Sequence, residues 1–247
     1  MIYMDLPLSL QLYTVRNELK DDFVGTLEKV AEIGYKGVEF AGYGGLKANE
    51  MRRHLERLGL TPTGSHISLD ALKSNLDKEI EYNLEIGNKY IVCPWNKYEA
   101  KEDFIETAKL FNEIGEKCAE KGLIFCYHNH NHEFVNFDGK YGLDLIYENS
   151  NSNFLKAEID TYWVKYAGED PASYIKKYSG RVPLVHLKDM DGATKDFAEI
   201  GEGIMNIKDI IDASLEAGVK WFIVEQDVCK RPPLESAKIS FHNINKM

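Results

Sequence analysis

The stretch that decides the fold reads Leu123-Ile124-Phe125-Cys126-Tyr127-His128-Asn129-His130-Asn131-His132-Glu133-Phe134. It begins as an apolar run of strand character and ends in three histidines and a carboxylate. A buried strand that runs out into metal-binding and proton-transfer groups is typical of a barrel strand at an active-site mouth. Alternation along the strand predicts that His128 and His130 share one face, with Asn129 on the other. Because three of the chain's 7 histidines lie within five residues, the pattern favours a functional site over a chance polar loop.

The pattern of a short apolar run followed by a helical segment recurs eight times along the 247 residues. The runs begin at Leu8, Gly37, Thr61, Tyr90, Leu123, Phe154, Val182 and Trp221. Strands that alternate with helices pair in parallel, and eight such units close into a barrel of about 250 residues. We therefore predict an α/β protein, a single (β/α)8 TIM barrel domain over residues 1–247. The alternative, an open doubly wound sheet, is disfavoured because Tyr13-Thr14-Val15-Arg16 follows the first strand instead of a glycine-rich phosphate loop.

Composition narrows the classes of partner. Hydrophobic residues make up 44% of the chain, which is enough for one large core, and the formal net charge is -10. A surface of that sign repels phosphate backbones, so we expect no nucleic acid partner. No segment reaches about 18 consecutive apolar residues, so no membrane partner is expected either. The 4 cysteines are scattered without a CxxC pair, which predicts buried free thiols, a reducing compartment and a cytoplasmic location.

Polar side chains follow nearly every predicted strand. They are Gln11, Glu39, His66, Trp95, His128, His130, Glu133, Asp160, His186, Lys188 and Glu225. In a barrel the carboxyl ends of all strands meet at one rim, so we expect these side chains to surround one site. Asp160, His186 and Glu225, with one ligand from the fifth strand, would form a mixed nitrogen and oxygen site. Such a site suits Mn²⁺, Mg²⁺, Co²⁺ or Zn²⁺, and the absence of cysteine ligands disfavours structural zinc.

Structural interpretations of the same residues remain open at this stage. Asp160 could cap the following turn, His186 could be a satisfied core histidine, and Glu225 could pair with Lys188. Four further residues are predicted to bind substrate, namely Glu39, His66, Trp95 and Lys188. Glu39 could instead pair with a cation of a neighbouring strand, and Trp95 could simply cover the core. Lys188 follows His186 by two residues and so shares its face of the strand.

The chain resembles the sugar isomerase/epimerase superfamily that is built on the xylose-isomerase-like barrel. The matching segments are Ser9-Leu10-Gln11-Leu12-Tyr13-Thr14-Val15-Arg16, Gly37-Val38-Glu39-Phe40, Tyr127-His128-Asn129-His130 with Glu133-Phe134, Ile159-Asp160-Thr161, His186-Leu187-Lys188-Asp189, Gly201-Glu202-Gly203 and Val224-Glu225-Gln226-Asp227. They occur in the expected order over nearly the full length. Each segment is weak alone, and the ordered set is specific for the superfamily rather than for one reaction.

The resemblance implies one divalent metal, with Mn²⁺ preferred, held by Glu, Asp, His and Glu from strands five to eight. Asp160, His186 and Glu225 match three of these positions. The fifth strand departs from the pattern, because His128 stands near the expected Glu and Glu133 comes later. We assign Glu133 as the ligand, with His128 as the alternative. His130 is then the candidate base, and His128 and Glu225 are further catalytic candidates.

The implied chemistry is proton abstraction beside a carbonyl group through an enediolate, with the metal as Lewis acid. Return of the proton gives isomerisation or epimerisation of a ketose or keto-sugar. Loss of a hydroxyl gives dehydration of a keto-cyclitol or keto-glycoside, as in the inosose dehydratases of this superfamily. Abasic-site endonucleases share the barrel but need a multi-zinc cluster and a basic groove, and a third possibility is a non-catalytic sugar binder. We expect a small sugar as the partner, with homo-oligomers common among relatives.

Overall fold

The computed structural model describes residues 6–247, and its centre is a closed barrel of eight parallel strands. We number them β1 (Leu8–Gln11), β2 (Gly37–Phe40), β3 (Thr61–His66), β4 (Tyr90–Cys93), β5 (Ile124–His128), β6 (Leu155–Asp160), β7 (Leu184–Leu187) and β8 (Trp221–Val224). Each strand pairs with its sequence neighbours, and β1 closes the barrel on β8. The predicted TIM barrel is therefore confirmed.

Ten α-helices of the described chain surround the barrel. They are α1 (Arg16–Asp21), α2 (Phe23–Ile33), α3 (Ala48–Leu58), α4 (Leu69–Ile86), α5 (Lys101–Glu120), α6 (Gly142–Glu148), α7 (Thr161–Tyr166), α8 (Pro171–Lys177), α9 (Ile207–Ala217) and α10 (Pro233–Lys246). Glycines at positive φ end α2, α3, α4 and α9. In residues 6–247 every helix is too short or too polar to span a bilayer.

The interior face of the barrel changes character along each strand. Residues that point inward recur at every second position, so Cys126 precedes His128, and Ile223 precedes Glu225. Toward the amino ends Tyr90, Val92, Cys126, Leu184 and Ile223 form one buried cluster, and the buried hydroxyls of Ser9 and Thr63 are hydrogen-bonded to each other (2.6 Å). At the carboxyl ends the same faces carry titratable groups. The interior of the barrel is therefore largely apolar at the amino ends of the strands and charged at their carboxyl ends.

The structure differs from the sequence-based boundaries at two loops beside the mouth. Strand β5 ends at His128 rather than running on through the histidines, because the Asn129 side chain accepts a hydrogen bond from the Asp160 amide (3.1 Å). Residues His132–Phe134 then form a short 3-10 helix. Helix α7 begins directly after β6 and was not predicted. Asp160 Oδ1 accepts the Trp163 amide (3.1 Å) and caps this helix, so the capping interpretation of Asp160 is correct for one of its two oxygens.

Candidate metal centre and active site

The register of the barrel brings the charged residues into contact. His128 lies opposite Glu158 across β5 and β6, and Asp160 lies opposite His186 across β6 and β7. His128 Nδ1 is 3.0 Å from Glu158 Oε2, and His128 Nε2 is 3.6 Å from Asp160 Oδ2. All four side chains are buried. One imidazole thus contacts two carboxylates of the neighbouring strand.

His186 is held between two carboxylates from opposite sides. Its Nδ1 lies 2.8 Å from Glu225 Oε2, and its Nε2 lies 2.7 Å from Glu39 Oε2. Burial lowers the pKa of His186, but the surrounding carboxylates outweigh it and hold the pKa well above its usual value. Gly64 makes this geometry possible, because a Cβ there would lie 2.2 Å from Glu39 Oε1. His186 is therefore fully buried with both ring nitrogens partnered, as the core interpretation expected, and its partners are carboxylates.

Lys188 places its ammonium among three carboxylates. Nζ lies 2.9 Å from Asp160 Oδ2, 2.7 Å from Glu225 Oε2 and 2.8 Å from Asp227 Oδ2. Only 1% of the Lys188 side chain is exposed. Burial lowers its pKa, but the three negative charges outweigh burial and raise the pKa well above its usual value. The predicted pairing of Glu225 with Lys188 is present, and it coexists with the contact between Glu225 and His186.

Two overlapping sets of side chains have the donor types and spacing for a metal ion. The first is His66, His128, Glu158 and His186, and the second is His128, Asp160, His186 and Glu225. Within each set the ligand atoms lie no more than 4.8 Å apart. Imidazole and carboxylate donors suit Mn²⁺, Zn²⁺ and related dications. Among residues 6–247, no donor reaches Glu158 Oε1, so one buried carboxylate oxygen of the first set is available to a cation.

Glu133, the ligand assigned from the sequence, lies in neither set. Its Oε1 accepts the Tyr127 hydroxyl (2.5 Å), and its Oε2 accepts the His130 amide (2.8 Å). Glu133 is fully buried, and burial raises its pKa. The geometry therefore favours His128, the alternative ligand, over Glu133. Glu133 instead fixes the turn that carries His130.

The other histidines of the site differ in charge. Burial lowers the pKa of His128 well below its usual value, and burial together with the charge of Lys188 lowers the pKa of His130 to about 3. Burial also opposes protonation of His66, but Glu39 and Glu158 outweigh it and raise the pKa to about 10. Burial raises the pKa of Asp160 to about 6 despite Lys188. The mouth thus combines neutral imidazoles with cationic groups.

A cavity of about 410 Å³, which we call the metal-side cavity, opens at this mouth. Its walls include Trp95, His66, His128, His130, Glu225 and Asp227. Trp95 is 51% exposed and lines the cavity, so it does not cover the core. His66 also lines the cavity, whereas Glu39 and Lys188 lie beneath it in contact with the ligand sets. His130 Nδ1 has no hydrogen-bond partner within residues 6–247.

The segment Gly201-Glu202-Gly203 has a structural role that the sequence did not reveal. The Asp189 carboxylate accepts hydrogen bonds from the amides of Met190, Gly201, Gly203 and Met205, at 2.8–3.1 Å. A Cβ on Gly203 would lie 2.2 Å from Asp189 Oδ1, so only glycine fits there. The loop therefore wraps around an anion that belongs to the chain itself, one residue beyond Lys188.

Sequence reasoning missed Glu158 and Asp227. Glu158 lies inside β6 and was treated as part of an apolar run, although it precedes Asp160 by two residues and so shares its face. Asp227 follows Glu225 by the same interval. Residues two apart on a strand share a face, so a step of two residues from Asp160 and from Glu225 would have identified Glu158 and Asp227.

The fold and the charged barrel mouth are those of a known class of protein. The sequence model of the xylose isomerase-like TIM barrel family matches residues 27–245, so the chain belongs to that family. It is 24% identical to an inosose dehydratase of Geobacillus kaustophilus over 90% of this chain and 86% of that protein. Other inosose dehydratases match over about half of their own length, for example 52% and 48%.

Solved structures show the same fold. A sugar phosphate isomerase/epimerase from Parabacteroides distasonis superimposes with a TM-score of 0.83 at 23% identity, over 95% of this chain and 92% of that one. The IolI protein, solved with a bound zinc atom, superimposes with a TM-score of 0.76 at 14% identity, over 96% of each chain. At these identities the likeness shows the shared fold.

Proposed function

We propose that this chain abstracts a proton from a carbon beside a carbonyl group in a polyhydroxylated substrate, as a metal-dependent sugar isomerase or epimerase. The observation that carries the proposal is the position of His130. Its ring lies 5.0 Å from that of His128, and both line the metal-side cavity. An imidazole on the cavity wall beside a ligand set is placed to act as a general base.

One divalent ion completes the proposed site, with His128, Asp160, His186 and Glu225 as its ligands. Each comes from the end of a different strand between β5 and β8, and their donor atoms lie within 4.8 Å of one another. When bound, the ion would supply Lewis-acid polarisation of the substrate carbonyl. Mn²⁺ remains our first choice, and zinc in IolI supports a dication in general. His128 and Glu225 are then ligands rather than bases.

Charged neighbours supply the remaining roles. His66 is the proton donor we assign, because it lines the cavity, whereas Lys188, whose Nζ is held by three carboxylates, offsets their negative charge beneath it. Glu39 holds the imidazoles of His66 and His186 at 3.2 and 2.7 Å. Trp95 forms part of the cavity wall and would limit access of water to the base. The two ligand sets share His128 and His186, which supports one ion rather than a multi-zinc nuclease centre.

Dehydration is the second candidate, and the sequence similarity to inosose dehydratases favours it. The first half of the reaction is the same, since His130 removes the proton beside the carbonyl. The outcome then depends on whether a cationic group protonates a leaving hydroxyl or returns a proton to carbon. His66, which lines the cavity, is the group that we expect to protonate a leaving hydroxyl. Products distinguish the two, because only dehydration removes an oxygen.

The test is solvent deuterium exchange into a panel of ketoses, keto-sugars and keto-cyclitols with Mn²⁺ present. We expect exchange with the wild-type protein, a loss of about 10²–10⁴-fold in His130→Gln, and no change in His242→Gln, which alters an exposed histidine on α10. Mass spectrometry of the products separates isomers from dehydrated species. Metal binding without exchange into any compound would refute the proposal.

A further inference from the structure

A second cavity, of about 390 Å³, adjoins the metal-side cavity. We call it the aromatic cavity. Its walls include Tyr162, Trp163, Tyr166, Phe197, Lys195 and Lys230. Its size falls within the range of about 300–1,000 Å³ for small-molecule sites. The proposed reaction assigns no role to the aromatic cavity.

The two cavities share a wall. His130, which lines the metal-side cavity, has its ring 5.6 Å from that of Trp163, which lines the aromatic cavity. Asp227 lines the first cavity, and the next residue, Val228, lines the second. Lys188 Nζ reaches Asp227 and lies 5.9 Å from the Trp163 ring. A molecule that reacts beside His130 can therefore extend past Trp163 without leaving the mouth of the barrel.

The aromatic rings of this cavity are fixed in place. The Tyr162 ring stacks on Phe197 at 4.5 Å, and the Tyr162 hydroxyl donates to the Lys195 carbonyl at 2.6 Å. Lys195 has a φ of 60°, an uncommon value for a long side chain, and its Nζ lies 5.6 Å from the Tyr166 ring. Tyr166 is 42% exposed and leaves part of its ring available for contact.

The chemistry of these walls selects a ring with hydroxyl groups or a flat apolar face. Aromatic side chains contribute large, rigid contact area, and each lysine adds hydrogen-bond donors for oxygen atoms. Lys230 Nζ lies 3.6 Å from both Asp191 and Asp196 and so closes one side of the cavity.

We propose that the aromatic cavity is a subsite for a second ring, so that the substrate is a glycoside rather than a free monosaccharide. This inference rests on the proposed function, because it places the reacting sugar in the metal-side cavity. The second ring, a sugar or an aryl group, lies against Tyr166 and Phe197. The site therefore recognises two linked rings.

The experiment measures the binding of methyl and phenyl glucosides, both anomers of each, by ligand-observed NMR and by quenching of tryptophan fluorescence. The wild-type protein binds the phenyl glucosides about three- to tenfold more tightly, the gain expected from one aromatic contact. Tyr166→Ala removes most of this preference. Tyr13→Ala is the matched control: it alters a tyrosine of similar exposure, 43%, in the metal-side cavity, and it keeps the preference.

Absence of a preference in the wild-type protein, whether both glucosides bind equally or neither binds, overturns the subsite. A preference that survives Tyr166→Ala overturns it as well. Both readouts are independent of turnover. Failure of the deuterium exchange reaction with every keto-sugar would therefore count against the proposed function. Loss of the preference for phenyl glucosides would count against the subsite alone.

Discussion

Replacement of Lys188 by methionine tests the electrostatics of the barrel mouth most directly. Its ammonium lies within 2.9 Å of three carboxylate oxygens, those of Asp160, Glu225 and Asp227. Removal of one partner from a buried ion pair costs about 3–5 kcal/mol, because the remaining charge has no compensation. For a chain of this length, each kcal/mol lowers the melting temperature by about 2–4 °C. We therefore expect Lys188→Met to melt about 6–20 °C below the wild type.

The assay is urea denaturation and calorimetry in EDTA, with Lys140→Met as the control. Lys140 pairs with Glu148 at 2.6 Å but is 55% exposed, so its loss should cost less than about 1 kcal/mol. Adding Asp227→Asn to Lys188→Met should restore part of the stability, because one unpaired charge is removed. Excess Mn²⁺ should restore more in Lys188→Met than in the wild type. A Lys188→Met variant as stable as Lys140→Met would refute the reasoning.

Three further predictions concern parts of the molecule outside the ligand sets. Burial raises the pKa of Asp144, but hydrogen bonds from a lysine and two tyrosines outweigh burial and lower the pKa overall. The stability that the Asp144 carboxylate contributes is therefore complete above about pH 4 and is lost as the pH falls further. Asp144→Asn should be less stable than the wild type at pH 7, and urea denaturation should show this difference shrinking towards pH 3. Glu133→Gln keeps only one acceptor oxygen and cannot accept both the Tyr127 hydroxyl and the His130 amide, so exchange activity should fall about tenfold while calorimetric Mn²⁺ affinity is unchanged; a large loss of affinity would restore Glu133 as a ligand. Gly203→Ala forces a methyl group against Asp189 and should cost about 1–3 kcal/mol in urea denaturation, whereas an unchanged midpoint would contradict the close contact.

The sequence predicted the barrel because local signals repeat. The structure begins β2, β4 and β8 at the same residues as the predicted apolar runs, since a lysine precedes each run (Lys36, Lys89 and Lys220). The rim residues followed from the same rule, because the end of each strand could be read directly. Asp160, His186 and Glu225 do lie together around one centre.

What the sequence could not provide depends on contacts between distant segments. Glu133 looked like a ligand because it follows the histidines, but its partner Tyr127 is defined only by packing of the turn on β5. Glu158 was hidden within a strand whose neighbours are apolar. Trp163 and Phe197 meet only because α7 follows β6 at once, a six-residue helix without a clear periodic signal. Such short elements are specified by tertiary contacts rather than by propensity.

Three of the four amides that surround Asp189, those of Gly201, Gly203 and Met205, tie the conformation of residues 201–205 to the segment that follows β7. This loop contains no strand or helix of its own, so its path is defined by its hydrogen bonds to Asp189. An engineered exchange of this loop between related barrels must transfer the aspartate and both glycines together. In evolution the same linkage makes the loop a unit of inheritance, although residues on its outer surface stay free to vary.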